Sequence, residues 1–571
     1  MTTVAESIIE SLIAGGVRQV WGVVGDALNP LTDAIRRDER IEWIGVRHEE
    51  AAAFAVSAQA QLTGTIGVCM GTVGPGSIHL LNGLYDAKKS HAPVLAICGQ
   101  VPSEEIGTDF FQEVDNDVLF SDVSVFARTL TAPAQLPHLL EQAVNAAYAQ
   151  QGVAVLTIPG DIGELDVPKG TVARFAPRGT AGAAPDEQVA AAVAALAEGS
   201  VTLLVGCGAR EARDEVLALA ETLQAPMVLT LKAKEGLERD NRFQVGQSGL
   251  IGNPAAAKAM DACDVLFLVG TDFPYRDWYP TGKTVIQLDA RGEHIGRRTS
   301  VDHALVGDAG ATLRALLPRL AARDDSKHLD DAVAAFRSWH ERQDSLLDPG
   351  HDDSLVGRVR AVFDNPDDRI RPEAVAAAVD RIARDDAIFT SDTGMSTAWL
   401  ARFVTMRGTR RLIGSYNLGS MANAMPQALG AQALDRTRPV VAFSGDGGLM
   451  MLLGDLRTAV TYRLPVRVVV FNNGRLGMVK LEQEQGGLPE FGTELDNPDI
   501  AAVAAAMGLA SRRVTDPDEL DDAVAWACGV DGPVLLDVVT NPDEIALPPK
   551  AKLSQGWGFA IAKSKEILES R

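Results

Sequence analysis

Asp446 and Asn473 carry oxygen donors suited to a hard cation, and each closes an apolar run. Gly445-Asp446-Gly447 follows Pro439-Val440-Val441-Ala442-Phe443-Ser444. After 24 intervening residues, Asn472-Asn473 follows Pro465-Val466-Arg467-Val468-Val469-Val470-Phe471. Each run reads as a buried parallel strand, and 449–463 between them reads as a crossover helix. Asp446 and Asn473 then stand at the carboxyl ends of two parallel strands, where open α/β sheets take their ligands. The glycines let main-chain N–H groups approach an anion at the following helix start. Mg²⁺ takes one or two protein oxygens and completes its octahedron with waters and substrate phosphates. The expected ligand is a diphosphate–Mg²⁺ complex; the plainer alternative is a pair of strand-to-loop turns.

Glu49 is the next candidate. It opens a helical run over 49–61, after a strand-like 43–47, and an acid in a first turn also simply complements the helix dipole. In the middle of the chain, Leu203-Leu204-Val205-Gly206-Cys207-Gly208 is a glycine turn after a strand, without the full Gly-x-Gly-x-x-Gly. Asp289 ends the strand-like 284–288, where an acid can bind a ribose hydroxyl.

These residues need three scaffolds. Residues 1–165 alternate strands (near 20–24, 66–70, 94–97 and 153–158) with helical runs. A Pro-, Gly- and Ala-rich linker covers 162–187. A second unit, 186–340, has strands near 201–205, 227–231, 265–269 and 285–288. A charged, broken stretch covers 340–371, and the third unit, 372–545, holds the opening motif. Such alternation predicts an α/β protein of three consecutive doubly wound parallel-sheet domains.

Composition bounds the partners. The chain has 571 residues, 46% hydrophobic, with a formal net charge of −23, which argues against nucleic acid. Five scattered cysteines, with no Cys-x-x-Cys, read as buried thiols in a reducing cytoplasm. The N-terminus lacks a basic region followed by an apolar core, and no apolar stretch is long enough to span a bilayer. The tail, 546–571, is different. It carries Lys550, Lys552, Lys563, Lys565 and Arg571 against Glu566 and Glu569, with Trp557, Ile561 and Leu568 able to share a helical face. A basic amphipathic helix of this kind can lie on an anionic lipid surface.

Further segments join the opening motif: Arg47-His48-Glu49-Glu50-Ala51-Ala52, Gly74-Pro75-Gly76, Phe111-Gln112-Glu113, Phe273-Pro274-Tyr275-Arg276 and Gly419-Ser420-Met421-Ala422-Asn423-Ala424-Met425-Pro426. Together they make nearly the whole chain resemble the thiamine diphosphate- and FAD-dependent pyruvate oxidase family, most closely its bacterial pyruvate dehydrogenase (quinone) branch. The resemblance implies a pyrimidine-binding domain, a central FAD domain, a diphosphate-binding domain and a C-terminal segment that governs access and meets the membrane. It implies that Glu49 hydrogen-bonds the aminopyrimidine ring and stabilises its protonated and imino forms, so that the cofactor can make its own carbanion. Met421 would support the bent cofactor, beside Gly419 and Ser420. Gly445, Asp446, Gly447, Gly448 and Asn473 would hold diphosphate and Mg²⁺, with Asp446, Asn473 and Arg475 as metal positions. His79, Phe111, Gln112, Val479 and Glu482 would face the reacting carbon of a 2-keto acid. Ser248-Gly249-Leu250-Ile251, Thr271-Asp272-Phe273-Pro274-Tyr275 and Asp289 would contact FAD, with Asp308 at the adenine end. Met478 stands where several members carry an aromatic residue.

The implied activity is oxidative decarboxylation of pyruvate to acetate and CO₂, with electrons passed through FAD to a membrane quinone. The implied assembly is a homotetramer with sites shared between subunits, cytoplasmic and peripherally attached to the inner face of the cell membrane. Three alternatives remain: an acetolactate synthase-type carboligase, an oxygen-dependent pyruvate oxidase, and a non-catalytic cofactor-binding protein. The carboligases carry an Arg-Phe-Asp-Asp-Arg loop where this chain has 271–276.

Overall fold

Strands with every residue buried, such as Val94–Gln100, Val201–Val205 and Ile388–Ser391, lie inside three open sheets. Continuous apolar runs of this kind belong to parallel sheets covered on both faces. The computed structural model describes residues 2–176, 179, 181–347 and 369–544. The tail 546–571 and most of the stretch 340–371 lie outside the described residues.

Each sheet has six parallel strands. In space, the first runs Glu42–Gly45, Gln19–Gly22, Gly67–Gly71, Val94–Gln100, Val153–Pro159, Ser124–Thr129. The third runs Arg411–Gly414, Ile388–Ser391, Val440–Gly445, Arg467–Asn472, Val534–Val539, Ala510–Val514. Counted along the chain, both have the order 2-1-3-4-6-5. The middle sheet differs: Gln244–Gln247, Met227–Leu229, Val201–Val205, Val265–Val269, Thr284–Asp289, His303–Val306. Its order, 3-2-1-4-5-6, is that of dinucleotide-binding folds, with its switch point between the first and fourth strands. Thr2–Thr3 pairs antiparallel with Asp166–Val167 outside these sheets, within the expected linker.

The first and third units share one core, in which Phe54, Ala55 and Leu84 meet Met425, Ala428 and Leu429. Its axis is the crossing of helices Glu49–Thr63 and Ala424–Leu434. Gly430 makes the crossing close: a methyl group there would lie 2.2 Å from the Ala55 carbonyl oxygen. Helix Glu49–Thr63 starts at His48, whose Nδ1 accepts the Glu50 N–H, and stops at Gly64 with φ 70°.

The expected crossover helix over 449–463 is broken. It comprises Asp446–Met451, a 3₁₀ turn Leu453–Asp455, and Leu456–Thr461. The turn aims Asp455 into the first unit, where its Oδ1 accepts the Arg47 N–H at 2.8 Å and the Thr458 hydroxyl at 2.8 Å. The same crossover gives Tyr462, whose hydroxyl accepts the Gly45 N–H at 2.7 Å. Local helix geometry yields to two tertiary bonds that fasten the approach to Glu49.

Candidate active site

In the third sheet the switch point lies between Ile388–Ser391 and Val440–Gly445, followed by Asp392 and Asp446. Both carboxylates are 2% exposed. Burial pushes Asp446 up to about 6 and Asp392 up to about 7. Asp446 Oδ2 accepts the Gly474 N–H at 2.8 Å and the Asn497 amide at 2.7 Å. Gly474 turns its N–H there with φ 63°. Asn497 also donates to Asn472 Oδ1 at 3.3 Å, and Asn472 donates to Asp537 at 2.8 Å. Asn473 Oδ1 accepts the Arg475 N–H at 3.1 Å.

Arg475 is less suited to a metal. Its guanidinium pairs with Glu490, and with Glu494 at 3.3 Å. A guanidinium has donors only, so the one group Arg475 can offer a cation is its carbonyl. The buried Asp446 carboxylate beside the Asn473 amide oxygen makes a donor set that fits Mg²⁺ with a diphosphate. Met421 faces the same loop: a methyl group built on Gly447 would come 3.5 Å from Met421 Cε. Ala422, just after Met421, holds φ 66°, a left-handed conformation rare in non-glycine residues and concentrated at ligand clamps. Gly419 has φ 81°, and the Ser420 hydroxyl accepts from Asn82 at 3.0 Å.

Glu49 lies in the first unit. It is 7% exposed, and its Oε2 is 3.0 Å from His79 Nδ1. The His79 ring stacks on His48 with centroids 4.4 Å apart. A methyl group on Gly76 would be 3.2 Å from Glu49 Oε1, and one on Gly74 would be 2.7 Å from the Gln112 carbonyl. Gly74-Pro75-Gly76 therefore bridges Glu49 to Gln112, itself left-handed at φ 69°. Phe111 beside it is 78% exposed. The five residues expected at the reacting carbon fall in two groups within one chain. His79, Phe111 and Gln112 gather near Glu49, whereas Val479 and Glu482 lie on helix Gly477–Gln485 of the third unit.

The middle and third units enclose a cavity of about 140 Å³. Ser248, Leu250, Ile251, Asp272, Phe273, Pro274 and Tyr275 line one side, and Gly419, Tyr416 and Met478 the other. Cys207 and Asp272 follow the first and fourth strands of the middle sheet, so the cavity opens at its switch point. A methyl group on Gly206 would strike the Gly270 carbonyl at 2.3 Å, so these loops close only on glycine. Ser248 Oγ is buried with no protein partner, the mark of a wall that expects a polar ligand. Thr271 Oγ1 accepts the Phe273 N–H at 3.2 Å and shapes the loop. Burial, then the nearby Glu482 carboxylate, holds the Tyr275 phenol above its usual range, which sets helix Gly477–Gln485 beside this wall.

Other expected contacts are engaged by protein. Asp272 Oδ2 meets His91 Nε2 at 3.1 Å and the Asn417 amide at 3.0 Å, so this carboxylate joins all three units. Asp289 accepts the Arg291 N–H at 2.9 Å and lies 3.4 Å from His294 Nδ1. Asp308 caps helix Ala309–Leu316 through the Ala311 N–H, a sufficient structural reason for an acid there. Cys207 departs from the buried-thiol expectation and is exposed on the cavity wall. Sequence reasoning passed over Asn497, Asp392 and Asn417. Asp392 alone gave a signal, an acid after an apolar run.

Three family models match in order. Residues 2–119 match the thiamine pyrophosphate enzyme N-terminal TPP binding domain, 189–316 the central domain, and 392–538 the C-terminal TPP binding domain. YdaP of Bacillus subtilis (strain 168), described by its name as thiamine pyrophosphate-containing, is 36% identical, covering 100% of this chain and 97% of that protein. The pyruvate oxidase of Lactiplantibacillus plantarum is 32% identical over 97% of this chain and 91% of that protein. The acetolactate synthase isozyme 2 large subunit of Escherichia coli (strain K12) is 31% identical over 96% and 98%.

Proposed function

The chain belongs to the thiamine pyrophosphate enzyme family, and from that premise we propose that it oxidises pyruvate to acetate and CO₂ and passes the electrons through FAD to a quinone. The observation that carries the redox reading is the cavity at the middle switch point. It lies beside the helix of Val479 and Glu482, and Ser248 Oγ in its wall is without a partner. When bound, thiamine diphosphate supplies a nucleophilic carbon and an electron sink, and FAD supplies a two-electron acceptor.

The chain's own residues supply the remainder. Asp446 and Asn473, with the Arg475 carbonyl, would hold Mg²⁺, and Gly447 and Gly448 would offer N–H groups to the diphosphate, the Gly445 N–H being taken by Asp392 at 3.2 Å. Met421 gives an apolar prop without burying an unpaired polar group. Glu49, held by His79, would accept a hydrogen bond from a cofactor ring nitrogen and keep a proton in place there. Phe111 and Val479 exclude water around the keto acid, while His79, Gln112 and Glu482 provide polar contacts to it.

One chain carries the Glu49 group and the Asp446 group on separate sheets. It also exposes Phe111, Val118, Met451 and Phe491 at 78%, 68%, 60% and 85%. We read these exposed apolar side chains as contacts for a second copy of the chain. A second copy that brings its Asp446 loop to this Glu49 covers both faces, and a pair of such dimers makes a homotetramer. The basic tail, 546–571, is assigned to peripheral attachment at the inner membrane face. Among the described residues no helix is long and apolar enough to cross a membrane.

The test is a mass balance with a soluble quinone. Equal amounts of pyruvate consumed, acetate formed and quinone reduced support the reading. Accumulation of acetolactate with no quinone reduction overturns it in favour of the carboligase, and acetate formed only with dioxygen identifies an oxygen-dependent oxidase.

A further inference from the structure

We infer that Asp392 is a positioning residue: its buried carboxylate clamps the Met421 loop and the Asp446 loop into one rigid cradle for the metal–diphosphate group. The inference rests on the thiamine diphosphate reading above.

Asp392 follows the first strand of the third sheet, and Gly445 ends the adjacent one. Asp392 Oδ1 accepts the Ala424 N–H at 2.8 Å, and Oδ2 accepts the Gly445 N–H at 3.2 Å. Ala424 comes three residues after Met421, and Gly445 comes immediately before Asp446. One side chain thus joins the loop that would support the cofactor's bend to the loop that would bind its metal.

The anchor itself is fixed. The Asp392 N–H donates to the Phe443 carbonyl at 3.0 Å. Its carbonyl accepts the Ser396 hydroxyl at 3.1 Å and the Thr397 hydroxyl at 2.5 Å. Space around the carboxylate is equally constrained, since a methyl group on Gly448 would lie 2.5 Å from Oδ2. Helix Ala424–Leu434 has no side-chain cap from its own Asn423, and Asp392 supplies the acceptor from the neighbouring strand.

A carboxylate suits this place because it offers acceptors on both oxygens. An amide of the same shape offers one acceptor and turns an NH₂ donor toward the other N–H.

The experiment uses the full flavin-loaded chain with thiamine diphosphate and Mg²⁺ removed by chelation and dialysis. Tryptophan fluorescence follows Mg²⁺-dependent binding of thiamine diphosphate to the wild type, Asp392→Asn and Asp446→Ala. Asp392→Asn is expected to raise the half-saturating Mg²⁺ roughly tenfold or more, as outer-shell partners of metal ligands do. Its flavin content stays at the wild-type value, its melting point without the cofactor falls only by what one buried hydrogen bond is worth, and most turnover returns at saturating Mg²⁺. Wild-type affinity in Asp392→Asn, with Asp446→Ala impaired, overturns the clamp alone. A wild type that binds no thiamine diphosphate overturns the thiamine reading and the clamp with it. A drop in melting point and flavin content together marks Asp392 as a general structural cap and also overturns the proposal. If Asp392→Asn does not fold, hydrogen exchange in the wild type decides: common protection of 421–424 and 445–448 supports the clamp, and free exchange of either segment refutes it.

Discussion

Gly430→Ala sets helix propensity against packing at the crossing that carries Glu49. Alanine in a helix interior is favoured over glycine by ~1 kcal/mol, so an isolated helix would gain. Here the new methyl group would lie 2.2 Å from the Ala55 carbonyl oxygen and 2.7 Å from its Cα, whereas ordinary contact begins at 3.4 Å. The obstacle is helix backbone, which cannot rotate aside, so the helices must separate by about 1 Å. Overpacking of this kind costs ~1–3 kcal/mol, enough to cancel the propensity gain and leave a net loss of up to ~2 kcal/mol. The displaced helix begins with Glu49, and a misplacement of ~1 Å in a catalytic site can cost ~10²-fold in rate. Thermal melts and steady-state pyruvate turnover on the holoprotein provide the assay. A lower melting point with turnover reduced by one to two orders of magnitude is expected. A variant that melts higher than wild type with full turnover would mean that the crossing accommodates the methyl group and does not fix Glu49.

Other outcomes follow from the same geometry. Glu49→Gln should keep its fold by circular dichroism and bind much of its cofactor, yet lose roughly 10²-fold or more in turnover, since a neutral amide cannot stabilise a protonated ring. Asp446→Ala and Asn473→Ala should raise the Mg²⁺ and thiamine diphosphate requirement in titrations while bound flavin, read by absorbance, stays unchanged. Asp446, raised to about 6, contributes stability to the metal-free protein that is complete below its unfolded value of 3.8 and lost as pH rises through about 6. Mg²⁺ needs the ionised form, so its affinity should fall up to ~tenfold per pH unit below about 6, and Asp446→Asn should remove that step in calorimetric titrations. Deleting 550–571 should abolish sedimentation with anionic liposomes and raise basal turnover together.

The chain announced the buried strands and concealed most of the edges, Glu42–Gly45 being an edge strand that the strand-like 43–47 did mark. Val201–Val205 and Val265–Val269 lie where their apolar runs put them, because both faces of a central strand are covered. Ser124–Thr129, Gln244–Gln247 and His303–Val306 are edge strands with mixed faces, and no periodicity marked them. Asp446 and Asn473 were legible because the strand-end spacing is local. Asn497 was not, since only the return of the 486–499 loop brings its amide to Asp446. Nor was Asp455, whose partner Arg47 is 408 residues away in the chain. Asp272 shows a further limit: its loop read as a cofactor contact, whereas its carboxylate spans three units through His91 and Asn417.

On the proposed function, pyruvate electrons reach a flavin in the cavity between the middle and third units. The most direct measurement is the visible spectrum of the flavin-loaded protein mixed anaerobically with Mg²⁺, thiamine diphosphate and pyruvate. The flavin is expected to bleach within turnover time, and a soluble quinone to restore its colour. A flavin that stays oxidised while pyruvate is consumed and acetolactate accumulates would contradict it.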